Sequence, residues 1–180
     1  GKLYRLVADH TVWGRAVFPG VGYLEMVRAA GAAALCDIIF LQPLVIEPLS
    51  LLVIECAMFD GRFEVRSGEL EGDGEATVHC SGGFDADTRA SQADIDHACV
   101  RGRLRASAIA VSALYDGFDA VGLQYGPGYR TLACVWCGAS DALARLRARA
   151  TREGTAVHPA DLDDALCTDT AIASSGSGEA

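Results

Sequence analysis

The chain has 180 residues, of which 51% are hydrophobic and 22% are charged, a balance that supports a packed core and excludes an intrinsically disordered chain. Its formal net charge of −9 argues against nucleic acid as a partner. No apolar run is long enough to span a bilayer and no signal-peptide pattern opens the chain, so we expect a cytoplasmic protein without membrane contact. Because the first residue is Gly1 rather than Met, the sequence is interpreted as a piece of a longer polypeptide.

The first half of the chain predicts one helix and several antiparallel strands. Residues 3–7 are interpreted as the end of a strand that leads to His10, and a helix over residues 20–35 follows Pro19, a residue suited to a helix start. The apolar or alternating segments that we predict as further strands are 38–41, 49–58, 62–66 and 75–80. Asp60-Gly61 predicts a hairpin, residues 72–74 a turn, and residues 81–83 the end of the last strand.

The second half begins after a polar segment, residues 84–96, which suits a linker. We predict a helix over residues 111–121 that buries Leu114, Phe118 and Val121 and stops at Gly122. Strands over 131–137 and 143–150 follow, and Pro159 opens a last helix. The predicted division is 1–84 for the first half, 85–106 for the linker and the start of the second half, 107–167 for the second half, and 168–180 for a flexible tail.

Cysteines and arginines form two patterns that suggest binding sites. Cys134 and Cys137 form a Cys-x-x-Cys pair, but no second pair has metal-ligand spacing, so we predict no metal site. We expect reduced core thiols at Cys36, Cys56, Cys80 and Cys99. Two arginine trios alternate at strand spacing, at 101, 103, 105 and at 145, 147, 149, and predict solvated strand faces in preference to docking patches.

Three motifs in a fixed order carry the chemistry. Residues 10–19 read His-x-x-x-Gly-x-x-x-x-Pro, residues 125–129 read Tyr-Gly-Pro-Gly-Tyr, and residues 158–166 read His-Pro-Ala-Asp-Leu-Asp-Asp-Ala-Leu. Together they resemble the dehydratase domain of a modular polyketide synthase. The resemblance covers residues 3–167 and implies an α+β double hot-dog fold, in which curved antiparallel sheets are each wrapped round a helix. Because such a domain continues with further strands, the resemblance also implies that the second half is incomplete here.

The resemblance implies an enzyme that eliminates water from a β-hydroxyacyl thioester carried on an acyl carrier protein. His10 would be the base, since an imidazole titrates near neutrality, at about 6.5. Asp163 would be the acid, and it must be buried in an apolar pocket so that its pKa is raised and it keeps a proton. The family places these two residues on opposite halves, facing each other across a tunnel for the acyl chain and its phosphopantetheine arm.

The remaining candidate residues surround this pair. Backbone N–H groups at Gly14, or at the helix start formed by Pro19 and Gly20, would bind the developing oxyanion. By resemblance Tyr125 lines the site, and Gly126, Pro127 and Tyr129 shape its loop. Cys167 stands where the family usually has Gln or His to orient the carboxyl group, and a thiol is a poor substitute.

The resemblance implies no metal or organic cofactor, and it implies an acyl carrier protein, neighbouring synthase domains and a second copy of the chain as partners. Two alternatives remain open. A catalytically inactive or truncated module is favoured by Cys167 and by the missing strands. A double-bond isomerase or a pyran-forming relative would reuse the same base on the same fold.

Overall fold

The computed structural model describes residues 2–48, 51–69, 76–87, 96–104, 108–138 and 141–170. Its helices are α1 (Lys2–Val7), α2 (Gly20–Ala29), α3 (His97–Arg103), α4 (Val111–Ala120) and α5 (Pro159–Cys167), with a short 3-10 helix at Pro127–Tyr129. Its strands are β1 (His10–Val12), β2 (Arg15–Ala16), β3 (Ala34–Phe40), β4 (Leu52–Phe59), β5 (Arg62–Glu69), β6 (Thr77–Asp85), β7 (Leu123–Tyr125), β8 (Leu132–Cys137) and β9 (Ala142–Leu146).

The first half is a four-stranded antiparallel sheet, in the order β3-β6-β5-β4, packed with α2. The predicted hairpin between β4 and β5 is confirmed. Asp60 and Gly61 have φ values of 49° and 69°, the left-handed pair that a tight two-residue hairpin turn requires. Tyr23 and Val27 of α2 lie in the same buried cluster as Phe63 and Val65 of β5, so the sheet and the helix share one core.

The prediction that α2 extends to residue 35 is wrong. The helix ends at Ala29, and Gly31, at φ 119°, reverses the chain. Residues Ala34 and Leu35, which fall within the predicted helix, instead pair with β6. Alanine has the highest helix propensity, but such local preferences are weak compared with tertiary contacts, and here the hydrogen bonds available along β6 override them.

Two strand predictions are also corrected. Residues 3–7 form helix α1 rather than a strand, and Val7 of this helix is fully buried; a short apolar run cannot distinguish the two by its pattern. Strand β6 does not stop before residue 81 but continues to Asp85. At Gly82 an added Cβ would lie 2.8 Å from the Phe63 ring, so this glycine permits a close approach within the strand rather than ending it.

In the second half, α4 packs against β7 and β8, and β8 pairs with β9. The α4 prediction is confirmed at Leu114 and Phe118, which are buried, and at Gly122, whose φ of 87° ends the helix. It is wrong at Val121, which is 62% exposed because it follows the last helical residue. Strand β9 ends at Leu146, short of the predicted residue 150, and Glu153 and Gly154, both with positive φ values, form a turn after it.

The two halves are joined by a small sheet in the order β2-β1-β7. Strand β1 belongs to the first half and β7 to the second, and their register places His10 opposite Tyr125. Thr168, predicted to begin a flexible tail, is buried and its Oγ1 donates to the Asp164 carbonyl. The predicted turn at 72–74, most of the 84–96 linker and residues 171–180 lie outside the described residues.

The arginine and cysteine predictions are corrected in part. The backbone of residues 101 and 103 is helical, within α3, and residue 105 lies outside the described part, so that trio is no strand face. Of the second trio only Arg145 lies in β9, and Arg149 is bound to other groups. Cys36 and Cys99 are exposed rather than in the core, and all seven cysteines are free thiols.

The described residues offer neither a metal-binding cluster nor a membrane-spanning helix. They contain no cluster of three or more His, Cys, Asp or Glu residues that could hold a metal ion. They also contain no helix long and apolar enough to cross a bilayer.

Candidate active site

His10 lies in β1, and its imidazole is held in one orientation by the backbone of the segment that follows. Its Nδ1 is 2.7 Å from the Val17 carbonyl oxygen, and the Val17 N–H donates back to the His10 carbonyl over 3.0 Å. A carbonyl can only accept a hydrogen bond, so Nδ1 carries the proton of the neutral ring and Nε2 presents its lone pair. The residue is 7% exposed, and this arrangement leaves one basic nitrogen pointing away from Val17.

Asp163 lies in the middle of α5, and the fold brings its carboxyl group to that basic nitrogen. The His10 Nε2 and Asp163 Oδ2 atoms are 3.8 Å apart, with side chains 9% and 14% exposed. Within the described residues, Oδ2 is buried and has no hydrogen-bond partner. Burial raises the pKa of the Asp163 carboxyl, while His10 and the Tyr125 hydroxyl partly oppose the rise. The geometry therefore joins a base and a carboxyl group with raised pKa in one shielded slot.

The Tyr-Gly-Pro-Gly-Tyr segment forms two walls of this slot. The rings of Tyr125 and Tyr129 lie with their centroids 5.4 Å and 5.3 Å from the imidazole of His10. Both rings are buried, and burial together with the nearby Asp163 raises the pKa of both phenols. The hydroxyls therefore stay protonated, and the two rings shield the pair from bulk water. Pro127 occupies the first position of the 3-10 helix between them, where its missing N–H leaves no donor unpaired.

Asp9, which sequence analysis did not single out, anchors this loop to the strand that carries His10. Its carbonyl accepts the Gly126 N–H over 2.7 Å, and its carboxylate Oδ2 accepts the Gly128 N–H over 2.6 Å. A Cβ added at Gly126 or Gly128 would lie 2.4 Å or 2.7 Å from the Asp9 carboxylate. Both glycines are therefore needed for this contact, and the only sequence signal was the position of Asp9 beside the histidine.

Helix α5 is fixed by three carboxylates that do not face His10. Asp164 accepts hydrogen bonds from Thr131 N, from Thr131 Oγ1 and from the Tyr115 hydroxyl, so it attaches the helix to the start of β8. Its charge also contributes to the rise in the pKa of Asp163. Asp161 pairs with Arg149, whose guanidinium also donates to the Gly128 carbonyl. Glu25 of α2 accepts the Ala156 N–H just before α5. These bonds set the position of the helix, and therefore of Asp163.

Cys167 lies one helical turn after Asp163, on the same face of α5. Its Sγ is 3.5 Å from the Tyr125 hydroxyl, and burial raises the pKa of the thiol to about 11, so it stays protonated. A thiol at this distance is a weak hydrogen-bond partner, and it makes its contact with Tyr125 rather than with the Asp163 carboxyl group. Cys167 is thus in the site but holds the carboxyl group only indirectly.

The structure distinguishes between the two predicted sources of N–H groups for the oxyanion, which are Gly14 and the start of α2. The Gly14 N–H donates to the Gln124 side chain over 2.8 Å, so the prediction that it is a free donor is wrong; Gly14, at φ 75°, serves the turn between β1 and β2. Pro19 precedes the first turn of α2, and Gly20 lines a cavity of about 310 Å³ together with His10. The start of α2 at Gly20 is therefore the remaining candidate for the donor set.

The fold resembles that of a specific class of domain. The dehydratase domain from the CurF module of curacin polyketide synthase has a TM-score of 0.78 and 26% identity, over 91% of this chain and 65% of that domain. A trans-AT polyketide synthase dehydratase domain from Brevibacillus brevis has a TM-score of 0.79 and 25% identity, over 96% and 67%. The architecture is therefore the double hot-dog of dehydratase domains, as predicted.

Two family models match the chain. The model described as polyketide synthase dehydratase domain matches residues 3–67, and that described as polyketide synthase dehydratase N-terminal domain matches residues 92–179. The chain belongs to the polyketide synthase dehydratase family. Polyketide synthase ThaG of Burkholderia thailandensis is 35% identical over 89% of the chain, and PksM of Bacillus subtilis is 27% identical over 89%. The chain spans 3% and 4% of these much longer synthases.

Proposed function

We propose that this domain removes water from a β-hydroxyacyl thioester and releases the α,β-enoyl thioester. The observation that carries the proposal is the 3.8 Å approach of His10 Nε2 to Asp163 Oδ2 in a slot shielded by two tyrosines. Elimination needs a base at the α-carbon and an acid at the β-hydroxyl, and each such group contributes about 10²–10⁴-fold to the rate. A neutral imidazole beside a protonated carboxyl group supplies both.

The two side chains account for every proton that is transferred in this reaction. His10 Nε2 takes the proton from the α-carbon, and Asp163 donates its proton to the β-hydroxyl, which leaves as water while the carbon–carbon double bond forms. The enzyme is then an imidazolium beside a carboxylate, and return of the proton from His10 to Asp163 restores the starting state.

Other groups of the site have supporting roles in this proposal. The negative charge that develops on the thioester carbonyl oxygen is stabilised by N–H groups in the first turn of α2, beside Gly20, where the helix dipole also favours it. Tyr125, Tyr129 and Cys167 exclude water and keep the Asp163 carboxyl group in a medium that favours its protonated form. The reaction requires no metal or organic cofactor.

The proposed substrate is tethered to the phosphopantetheine arm of an acyl carrier protein. The curated relatives are multidomain polyketide synthases, which supports neighbouring synthase domains as partners, and we also propose a homodimer. The net charge of −9 opposes long-range attraction of an acidic carrier, so docking would depend on a local basic surface. It also opposes binding to nucleic acid.

The test is turnover of a carrier-linked β-hydroxyacyl thioester, followed by mass spectrometry of the acyl chain. We expect loss of one water by the wild-type chain and none by the His10→Phe or Asp163→Asn variants. Asp116→Asn, on the exposed face of α4, is the matched control and should react at the wild-type rate. An unchanged acyl chain with the folded wild-type protein would refute the proposal.

A second candidate is a non-catalytic module that binds carrier-linked chains without turnover. It is favoured by one observation: within the described residues Asp163 Oδ2 has no hydrogen-bond donor, and Cys167 contacts Tyr125 instead. This candidate predicts that the folded chain binds the thioester but returns it unchanged. A shift of the double bond or ring closure, rather than loss of water, would instead assign the same base to a sibling reaction.

A further inference from the structure

The cavity that is lined by His10 has a second polar region in its wall. Tyr23 of α2 and His79 of β6 both line the cavity. The segment 41–44 connects the two regions, because the Leu41 N–H donates to the His79 carbonyl and the Phe18 N–H donates to the Leu44 carbonyl. His10 and Tyr23 line this same cavity, so we expect an acyl chain whose reacting end is at His10 to reach the second region.

His79 itself has no polar atom left for a ligand. Its Nδ1 lies 3.0 Å from the Gln42 carbonyl, which can only accept, and its Nε2 lies 2.7 Å from the buried Ser67 hydroxyl. These two bonds fix the plane of the ring. Tyr23 lies parallel to it, at an interplanar angle of 9° and a centroid distance of 6.0 Å, so His79 acts as a rigid support for the tyrosine.

The Tyr23 hydroxyl, by contrast, is buried and has no hydrogen-bond partner within the described residues. The side chain is 3% exposed, and its ring is held on the other side by Phe18 at a centroid distance of 4.9 Å. A buried hydroxyl without a partner lowers the stability of the fold, so its presence calls for an explanation. Burial also raises the pKa of Tyr23, which keeps the hydroxyl protonated and able to donate.

We propose that the Tyr23 hydroxyl donates a hydrogen bond to an oxygen on the acyl chain, beyond the reacting β-carbon. The substrate class is then a β-hydroxyacyl thioester that carries a further hydroxyl or keto group at the δ-carbon or farther along. This inference rests on the proposed dehydratase function. Tyr23 is not part of the catalytic pair; its role is to select among chains. A site built to bond an oxygen discriminates against the chain that lacks it, because its own hydroxyl is then left unpaired.

The experiment compares thioesters of equal length that carry a hydroxyl or keto group at the δ-carbon, at the next alternate carbon, or at neither. We expect the wild-type kcat/KM for the best oxygenated chain to exceed that for the plain chain by about tenfold, the ratio that one net hydrogen bond supplies. Tyr23→Phe should reduce this ratio to about one without lowering kcat/KM for the plain chain. Tyr4→Phe, the same change on α1 outside the cavity, should leave the ratio as it is.

Thermal unfolding of the same variants gives a second test, because the proposal predicts the direction in which Tm changes. Tyr23→Phe removes an unpaired buried hydroxyl and keeps the ring, so its Tm should equal or exceed that of the wild type. A Tm well below that of Tyr4→Phe would show that the hydroxyl already has a partner, such as a bound water, and would overturn the proposal. So would a wild-type ratio near one, or a ratio that Tyr23→Phe leaves unchanged.

A binding measurement separates this inference from the proposed reaction. The affinity of the Asp163→Asn variant for the same thioesters is measured by calorimetry, which needs no turnover. If the wild type turns over none of these thioesters, the dehydratase proposal fails. The subsite would still be established if the Asp163→Asn variant bound the oxygenated chain tenfold more tightly and if adding Tyr23→Phe to that variant abolished the difference. Equal affinities for all chains would refute the subsite whether or not the enzyme is active.

Discussion

The contact between Asp9 and Gly128 predicts that a single methyl group at residue 128 will impair the site. In Gly128→Ala the new Cβ would lie 2.7 Å from Asp9 Oδ2, whereas ordinary contact begins near 3.4 Å, so one group must move by about 0.7 Å. Gly128 does not have a positive φ, so the alanine backbone is itself unstrained and the whole effect comes from this contact. The movement breaks the 2.6 Å bond from the Gly128 N–H to the carboxylate.

The expected magnitude follows from that bond and from the tyrosines that the loop carries. A hydrogen bond to a charged group contributes about 1.5–3 kcal/mol, and we expect a loss of about 2 kcal/mol in unfolding free energy because the bond is only partly buried. Displacement of Tyr125 and Tyr129 beside His10 should lower kcat by about 10- to 100-fold, since errors of about 1 Å in an active site have effects of that order.

The assay is kcat for dehydration together with denaturant unfolding, and the chain offers a matched control. Gly117→Ala lies on α4 with no atom within 4 Å of the new Cβ, so it should keep full activity and gain stability from helix propensity. Removing the carboxylate makes room for the methyl group, so Asp9→Ala should have a smaller effect in the Gly128→Ala background than in the wild type. Full activity of Gly128→Ala, or strictly additive effects of the two substitutions, would refute the reasoning.

Two further predictions concern the acid. Cys167→Gln introduces an amide that can donate to the Asp163 carboxyl group, and we expect kcat to rise several-fold; a kcat at or below that of the wild type, with Cys99→Ser as an exposed control, would contradict the orienting role. The raised pKa of Asp163 means that the folded state holds a proton that the unfolded state releases, so stability falls as pH rises from the unfolded pKa, about 3.9, through the folded pKa. Asp163→Asn should remove that decline in stability. Denaturant unfolding across the pH range tests this, and a variant that still lost stability as pH rises would contradict the account.

Motifs and turns were the part of the fold that could be predicted from the sequence. The hairpin at Asp60-Gly61, the stop at Gly122 and the start of α5 at Pro159 depend on residues whose backbone preferences are strong and local. The end of α2 depends instead on whether residues 34 and 35 pair with a strand some fifty residues further along, and alanine-rich sequence carries no signal for that.

The residues of the candidate site likewise divide into those that the sequence predicts and those that only the folded chain brings together. His10 and Asp163 were predicted by resemblance, and the fold brings them together. Gly14 could not be judged from the sequence, because its N–H is occupied by the side chain of Gln124, a residue from the other half. Asp9 and Arg149 were missed for the same reason: each acts through a backbone group of the 125–129 loop that only the folded chain brings near.

The most direct test of the account is the rate of water loss in the His10→Phe/Asp163→Asn double variant compared with each single variant. If the imidazole and the carboxyl group act as one unit on a single substrate, each single change removes nearly all of the catalysis and the double variant is no slower than either. Losses that multiply, or a single variant that keeps the wild-type rate, would contradict the claim that these two side chains perform the elimination together.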